Sequence, residues 1–345
     1  MKQFAVVLLW VVCYVGYAQK SDFSHIDFAK ADSIAMVYKN TSLQNMPLLV
    51  YNLTHSLNTQ VERFRAIHTW VCYTIESDHY FSAATLKKRK KLQNNPTALQ
   101  QWNMKQQAKV YKRLVKDKKT ICSGYAYILK TLTNLADIEC EIVDGYARNV
   151  SANVNTLGIP NHSWNVVKLN GKWYFADTTQ ASGYYDLNEA QFIKNYNEGY
   201  FLAAPELFAK NHYPLDKKWL LLNEKLSVQQ FVKAPIIYVD AYRYEVVPML
   251  PKALITTLNK GDAVVFEFKI LNPLFLESIN LKINDGSIYK KIKETTRSFS
   301  NGVLAITYQF DKKGQFDIHA KVGDTIIVSH TINVVDAKPI KTRDM

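Results

Sequence analysis

The chain has 345 residues, of which 48% are hydrophobic and 21% charged, with a formal net charge of +13. That length holds two or three domains, and the apolar content supports real cores, which excludes a wholly disordered chain. The positive balance can favour acidic surfaces but says nothing about fold.

Lys2, the apolar run Phe4 to Val15 and the small residue of Gly16-Tyr17-Ala18 before Gln19 read as a secretory signal over residues 1–18. The mature chain is therefore expected to be exported, periplasmic or secreted if bacterial. An uncleaved anchor is the alternative. The run is too short to span a bilayer and no later one is longer, so no integral membrane span is expected after signal removal. Three cysteines remain in the mature chain, Cys72, Cys122 and Cys140. An odd count leaves at least one free thiol in an oxidising compartment. Cys72 and Cys140 read as buried small hydrophobes, a disulfide between them being the other option.

Helical patterns cover roughly Asp27 to Lys39 and Met46 to Ser56. Thr59 and Glu62 then make a capping box, followed by an apolar stripe at Val61, Phe64, Ile67, Val71 and Ile75 that ends near Glu76-Ser77-Asp78. Residues 82–119 read as a Lys-rich surface insertion, part loop and part helix, the helix starting at Pro96 or Thr97 and running through Lys116. Its basic runs, Lys87-Lys88-Arg89-Lys90-Lys91 and Tyr111 to Lys119, read as solvated surface. No aromatic-interleaved RNA motif or groove-reading module accompanies them, so no nucleic-acid partner is expected.

Cys122 to Leu135 reads as a helix with Tyr125, Leu129 and Leu132 on one face. Strands follow at Cys140 to Tyr146, His162 to Leu169 and Lys172 to Asp177, and Asn170-Gly171 signals a type I′ hairpin between the last two. The spacing sets His162 and Asp177 at nearly opposite positions on neighbouring strands, within side-chain reach. A helix is expected near Asn188 to Asn195, and Pro235 to Pro251 reads as a connector. From Ala263 onward, alternating segments separated by turns such as Asn284-Asp285-Gly286 suggest a β-sandwich.

Cys122, His162 and Asp177 supply a thiol nucleophile, its base and the group that orients the base. Cys122 opens a helix, where unpaired N–H groups and the helix dipole favour a thiolate. Zinc is not expected, because the chain has no Cys-x-x-Cys or His-x-x-x-His pair. There is no Gly-rich phosphate loop, and no cofactor is expected. As an oxyanion donor the backbone N–H of Cys122 is one candidate, with Trp70 or a Gln of the insertion as further guesses.

At these residues the chain resembles the transglutaminase-like superfamily of papain-related cysteine enzymes, whose core reads Gly-x-Cys-x-x-Tyr-Ala, His-x-Trp-Asn and Trp-Tyr-x-x-Asp-x-Thr. The matching residues are Cys122, Tyr125 and Ala126; His162, Trp164 and Asn165; and Trp173, Tyr174, Asp177 and Thr179. It departs from the pattern at Thr120, Ser123, Thr178 and Gln180. The stretch Arg65 to Val71 is similar to the helix before the core. Tyr200 to Phe208, His212-Tyr213-Pro214 and Trp219-Leu220-Leu221 resemble the kyphoscoliosis-peptidase-like branch.

The resemblance, over roughly residues 60 to 235, implies an α+β, papain-like fold; with the elements read above, the chain divides into a core with N-terminal helices and an antiparallel sheet over residues 19–235 and an Ig-like β-sandwich over 236–340. The resemblance also implies a Cys-His-Asp triad and a protein or peptide substrate. The expected activity is cysteine-dependent acyl transfer through a thioester, as a peptidase or amide hydrolase. Glutamine amide transfer, or a non-catalytic scaffold that keeps the fold, is the alternative. Oligomeric state is not legible.

Overall fold

Thr59 begins the helix on which the N-terminal half is built. Its hydroxyl accepts the Glu62 N–H at 3.2 Å and its own N–H donates to the Glu62 carboxylate at 2.9 Å, so the expected capping box forms. The helix runs Gln60–Thr74 and buries Val61, Phe64, Ile67 and Val71. Helices Ala29–Val37 and Met46–Thr54 pack beside it. It stops at Thr74, slightly short of the expected end, because Glu76–Ser77 instead pairs in parallel with Lys119–Thr120. The computed structural model describes residues 20–284, 290–291 and 295–337. The expected signal at 1–18 and the Asp285-Gly286 turn lie outside the described residues.

The insertion holds two helices, His79–Leu92 and Pro96–Asp117, where the sequence suggested one helix and a loop. The first has a clear start, since the Asp78 side chain accepts the Phe81 N–H at 2.9 Å. It buries no residue and so prints no apolar period into the sequence. Good helix formers (Ala, Leu, Lys, Arg) carry it instead. Asn95 caps the second helix through the Ala98 N–H, with Pro96 in its first turn.

The chain returns through Lys119–Thr120 into the helix Cys122–Asn134. This helix packs on a five-stranded antiparallel sheet ordered Phe201–Ala203, Lys172–Ala176, His162–Leu169, Cys140–Ala147, His212–Pro214. The type I′ turn forms as expected, with positive φ at both Asn170 (49°) and Gly171 (82°). The segment Asn188 to Asn195 is not a helix. Gly183–Asp186 and Gln191–Lys194 pair as a hairpin, with Tyr185 opposite Phe192 and Tyr184 opposite Ile193. These aromatic and β-branched residues pack well across strands, and that outweighs the short helical pattern.

The segment read as a connector contributes structure of its own: strand Ile236–Ile237, short helix Val239–Arg243 and strand Val246–Leu250. Val246–Leu250 joins Ala263–Ile270, Val303–Gln309 and Thr296–Ser300 in one sheet. Ile236–Ile237 joins Thr325–Val335, Gly314–Val322, Ile279–Asn284 and Lys290–Lys291 in a second, and Ile255–Asn259 adds in parallel to Thr325–Val335. Phe266, Phe268 and Ile306 of the first sheet share one apolar cluster with Ile279, Leu281, Ile318 and Ile332 of the second. The same cluster continues through Tyr242 to Phe208, Phe175 and Trp164 of the five-stranded sheet. The buried Arg148 guanidinium adds a polar tie, donating to the carbonyls of Pro235 (2.8 Å) and Ala234. The two halves of the chain therefore share a core.

Candidate active site

Ile121 is extended (φ −109°, ψ 175°) and caps its helix with no side-chain bond, so Cys122 is the first helical residue. The first N–H groups of a helix have no intrahelical acceptor, and those of Cys122 and Ser123 point out of its start. Cys122 is half-buried, whereas Cys72 and Cys140 are buried, and all three are free thiols. Gly124, two residues on, has no room for a side chain. A Cβ there would come to 1.8 Å from Thr120 Oγ1 and 2.9 Å from Val110 Cγ1. Thr120 thus fills the space that Gly124 vacates.

Asp177 is 1% exposed and sits one residue past its strand, as the cap of the short helix Thr178–Ser182. This corrects the spacing expectation. The ladder pairs Asn165 with Ala176, so Asp177 is not across from His162 in register. The cap turns the carboxylate back toward the ring. Its Oδ1 accepts the N–H groups of Thr179 (3.0 Å) and Gln180 (3.1 Å), leaving Oδ2 to accept His162 Nε2 at 2.7 Å. Burial works against a charged His162, but the Asp177 carboxylate and its hydrogen bond, and then Cys122, outweigh it and raise the ring to about 10. Burial likewise opposes ionised Asp177, and the two imidazoles overcome it, holding the carboxyl well below the usual range. With Nε2 on Asp177, the other ring nitrogen is free of that bond, and Cys122 is close enough to be among the groups that raise the ring. The structure thus brings all three sequence-selected residues together.

The family model of the transglutaminase-like superfamily core matches residues 48–178, an interval that contains all three. These residues belong to the transglutaminase-like superfamily. Kyphoscoliosis peptidase of Homo sapiens is 31% identical over 294 residues, covering 82% of this chain and 40% of the relative. Its Mus musculus counterpart is 30% identical over 241 residues, covering 69% and 33%. Hillarin of Drosophila melanogaster is 22% identical over 233 residues, covering 64% and 26%. The chain spans less than half the length of these relatives.

The five-stranded sheet holds a further residue, which the sequence offers only within a resemblance motif. His212, 1% exposed, lies at the far edge of the sheet and puts Nε2 3.1 Å from the same Asp177 Oδ2. Its ring stacks on Phe208 with centroids 3.9 Å apart, and its Nδ1 lies 2.6 Å from Asn211 Oδ1. Burial, only partly offset by Asp177, pushes this ring toward the neutral form. Because the Asp177 carboxylate can only accept, the His212 Nε2 proton is the one that faces it. No spacing rule could have singled out His212, because its pairing depends on the strand His212–Pro214 closing the sheet beside Cys140–Ala147.

Asn165 ties the sheet to the helix of Cys122, donating to Ala126 O at 2.9 Å. Tyr125 OH donates to Ile75 O at 2.9 Å and so links the same helix to Gln60–Thr74. One guessed oxyanion donor is committed elsewhere, since Trp70 Nε1 donates to Tyr38 O (2.8 Å); of the insertion's Gln residues, Gln106 donates Nε2 to Thr85 Oγ1 (2.9 Å). The N–H groups at the start of the Cys122 helix remain.

Among the described residues, His162, Asp177 and His212 also form a group whose ligand atoms, all within 4.8 Å of one another, could take a metal ion. Both imidazoles already direct Nε2 at one carboxylate oxygen, the arrangement of a hydrogen-bonded relay. Among the described residues no helix is long and apolar enough to cross a membrane.

Proposed function

We propose that this chain is an exported cysteine-dependent amide hydrolase of the peptidase type, with Cys122 as nucleophile, His162 as acid and base, and Asp177 as the group that holds His162. The observation that carries the reading is the buried His162–Asp177 contact of 2.7 Å, with the half-buried Cys122 opening a helix.

In the first step the sulfur, its proton already held by His162, attacks a substrate carbonyl. The oxygen that gains charge lies where the N–H groups of Cys122 and Ser123 can donate to it. Collapse breaks the C–N bond, His162 protonates the departing amine, and a thioester remains on Cys122. Water, losing a proton to His162, then attacks the thioester, releases the acid and restores the resting pair of sulfur and charged imidazole. An amine in place of water gives amide transfer by the same steps, so access to the thioester decides the outcome. We place the limit of this catalytic unit at residue 235, with the sandwich from 236 positioning substrate. The leader-like residues 1–18 support the assignment to the exported proteins.

A scaffold reading is favoured by one observation: Trp70 and Gln106 are engaged elsewhere, which removes two side-chain candidates for the oxyanion. Losing a single oxyanion donor typically costs about 10²–10³ in rate. Incubation with a peptide library, read by mass spectrometry for cleavage against crosslinks, separates the readings. The enzyme yields new termini or new isopeptide bonds that disappear in Cys122→Ala. A product pattern identical in wild type and Cys122→Ala refutes the enzymatic reading.

A further inference from the structure

Residues 79–117 carry ten Lys and Arg side chains and a single acidic residue, Asp117. Nine of the chain's thirteen excess positive charges therefore sit in one helical hairpin. Among the described residues, Arg113 alone of the ten makes an ion pair, with Asp78.

The charges have a direction. Pro96–Asp117 buries Gln106, Val110 and Leu114 on one side. On another side Lys105, Lys109, Lys112 and Lys116, all exposed, recur every three or four residues and form a single stripe. The preceding helix adds exposed Lys87, Lys88, Lys90 and Lys91. Like charges four apart weaken a helix (Lys87 with Lys91, Lys105 with Lys109, Lys112 with Lys116), so the stripe is not there for the stability of the hairpin.

The stripe also has a position. Glu76–Ser77 and Lys119–Thr120 pair at the base of the hairpin, and Cys122 follows two residues after Thr120. Tyr111 meets Tyr127 of the Cys122 helix edge-on, with ring centroids 5.8 Å apart. Lys112 and Lys116 therefore lie at the end of the stripe next to the nucleophile helix, and Lys105 at the end away from it.

We propose that this basic hairpin is a docking surface for acidic polypeptide segments and sets the substrate class of the site, a consequence that rests on the thiol reading given above. Three features favour polypeptide over other polyanions. The stripe ends at a centre built for amide carbonyls. Its helix has already buried its apolar face, so it has none to insert into a bilayer. The two aromatic rings of that helix are Trp102, half-buried, and Tyr111, set against Tyr127, which leaves no free row of rings for base stacking.

The test is fluorescence anisotropy on the full chain carrying Cys122→Ala, so that turnover plays no part. The probe is a labelled glutamate-rich peptide, compared with a glutamine-rich peptide of equal length, a single-stranded oligonucleotide and phosphatidylserine vesicles. The glutamate peptide is expected to bind at low salt and to weaken as salt is raised. Replacing Lys105, Lys109, Lys112 and Lys116 by Gln together is expected to weaken that binding by about tenfold, with the helical circular dichroism unchanged. The pairs Lys105→Gln/Lys109→Gln and Lys112→Gln/Lys116→Gln carry the test if the quadruple variant misfolds. Equal binding of both peptides, no loss in the Lys variants, or tighter binding of the oligonucleotide or vesicles would overturn the proposal. Since binding is read without the thiol, an inactive Cys122 leaves this result standing and the reverse also holds.

Discussion

Among the described residues two thiols are set near imidazoles, and the pairs differ in charge and in access. In the first, Cys72 Sγ lies 3.8 Å from His68 Nδ1 on successive turns of one helix. Both side chains are buried. Burial, then the Arg65 charge, pushes His68 down to about 3, and burial pushes Cys72 up to about 12. The pair is neutral and inert. In the second, His162 is also buried, yet Asp177 lifts it to about 10, and Cys122 stands half-open to solvent at a helix start. Proximity of sulfur to imidazole is thus not what makes a site. A desolvated carboxylate must hold the ring charged, and the sulfur must lie where a substrate can reach it.

The sharpest way to break this comparison is to remove the carboxylate. Asp177→Ala leaves two imidazoles and two N–H groups without their acceptor and is expected to cost about 3–5 kcal/mol of stability by urea unfolding. A loss below about 1 kcal/mol would mean that the carboxylate does not organise this region.

The two histidines also make opposite demands on pH. His162 is raised from 6.5 to about 10, so its contribution is fully present below pH 6.5 and is lost as pH rises toward 10. His68 is lowered from 6.5 to about 3, so stability is lost as pH falls from 6.5 toward 3, a limb shared with His330, which is pushed down to about 4. Urea midpoints across pH should fall on both sides of about 6.5. In Asp177→Asn the alkaline limb should flatten while the part of the acid limb due to His68 persists. An unchanged alkaline limb would contradict the charged-ring account.

His212→Phe keeps the stack on Phe208 but removes one donor to Asp177. It is expected to cost about 1.5–3 kcal/mol, the worth of a hydrogen bond to a charged group. It should also lower kcat with KM little changed, and His212→Gln should recover part of both. A variant in which stability falls while kcat holds would make His212 purely structural. The smallest effect is expected at the inert pair. Cys72→Ala should cost about 1 kcal/mol, the typical point-mutation value, and leave Cys122 labelling at the wild-type rate. A slowed Cys122 would show that the two pairs are coupled.

Most of the site was legible before any coordinates. Cys122, His162 and Asp177 could be picked out by residue type, chain order and the Asn170-Gly171 turn, and the turn formed as read. The geometric reason was nevertheless different from the one the spacing suggested, since Asp177 reaches His162 as a helix cap and not as a cross-strand neighbour. His212 escaped because its partner is set by sheet order, a long-range property that no local pattern encodes. The helix His79–Leu92 escaped because it buries nothing, and the hairpin at Gly183–Lys194 because a short apolar run fits either period. The long, strongly patterned elements, Gln60–Thr74, Cys122–Asn134 and His162–Leu169, were read to within a few residues.

The central claim is that the Asp177-held ring of His162 activates the sulfur of Cys122. The direct test is the rate of iodoacetamide labelling at neutral pH, followed residue by residue by mass spectrometry, with Cys72 and Cys140 as internal references. The account predicts rapid, selective labelling of Cys122 in the native protein, no labelling of Cys72 or Cys140 until it is unfolded, and a loss of about 10²-fold or more at Cys122 in His162→Ala. Equal, slow labelling of Cys122 in wild type and His162→Ala would contradict it.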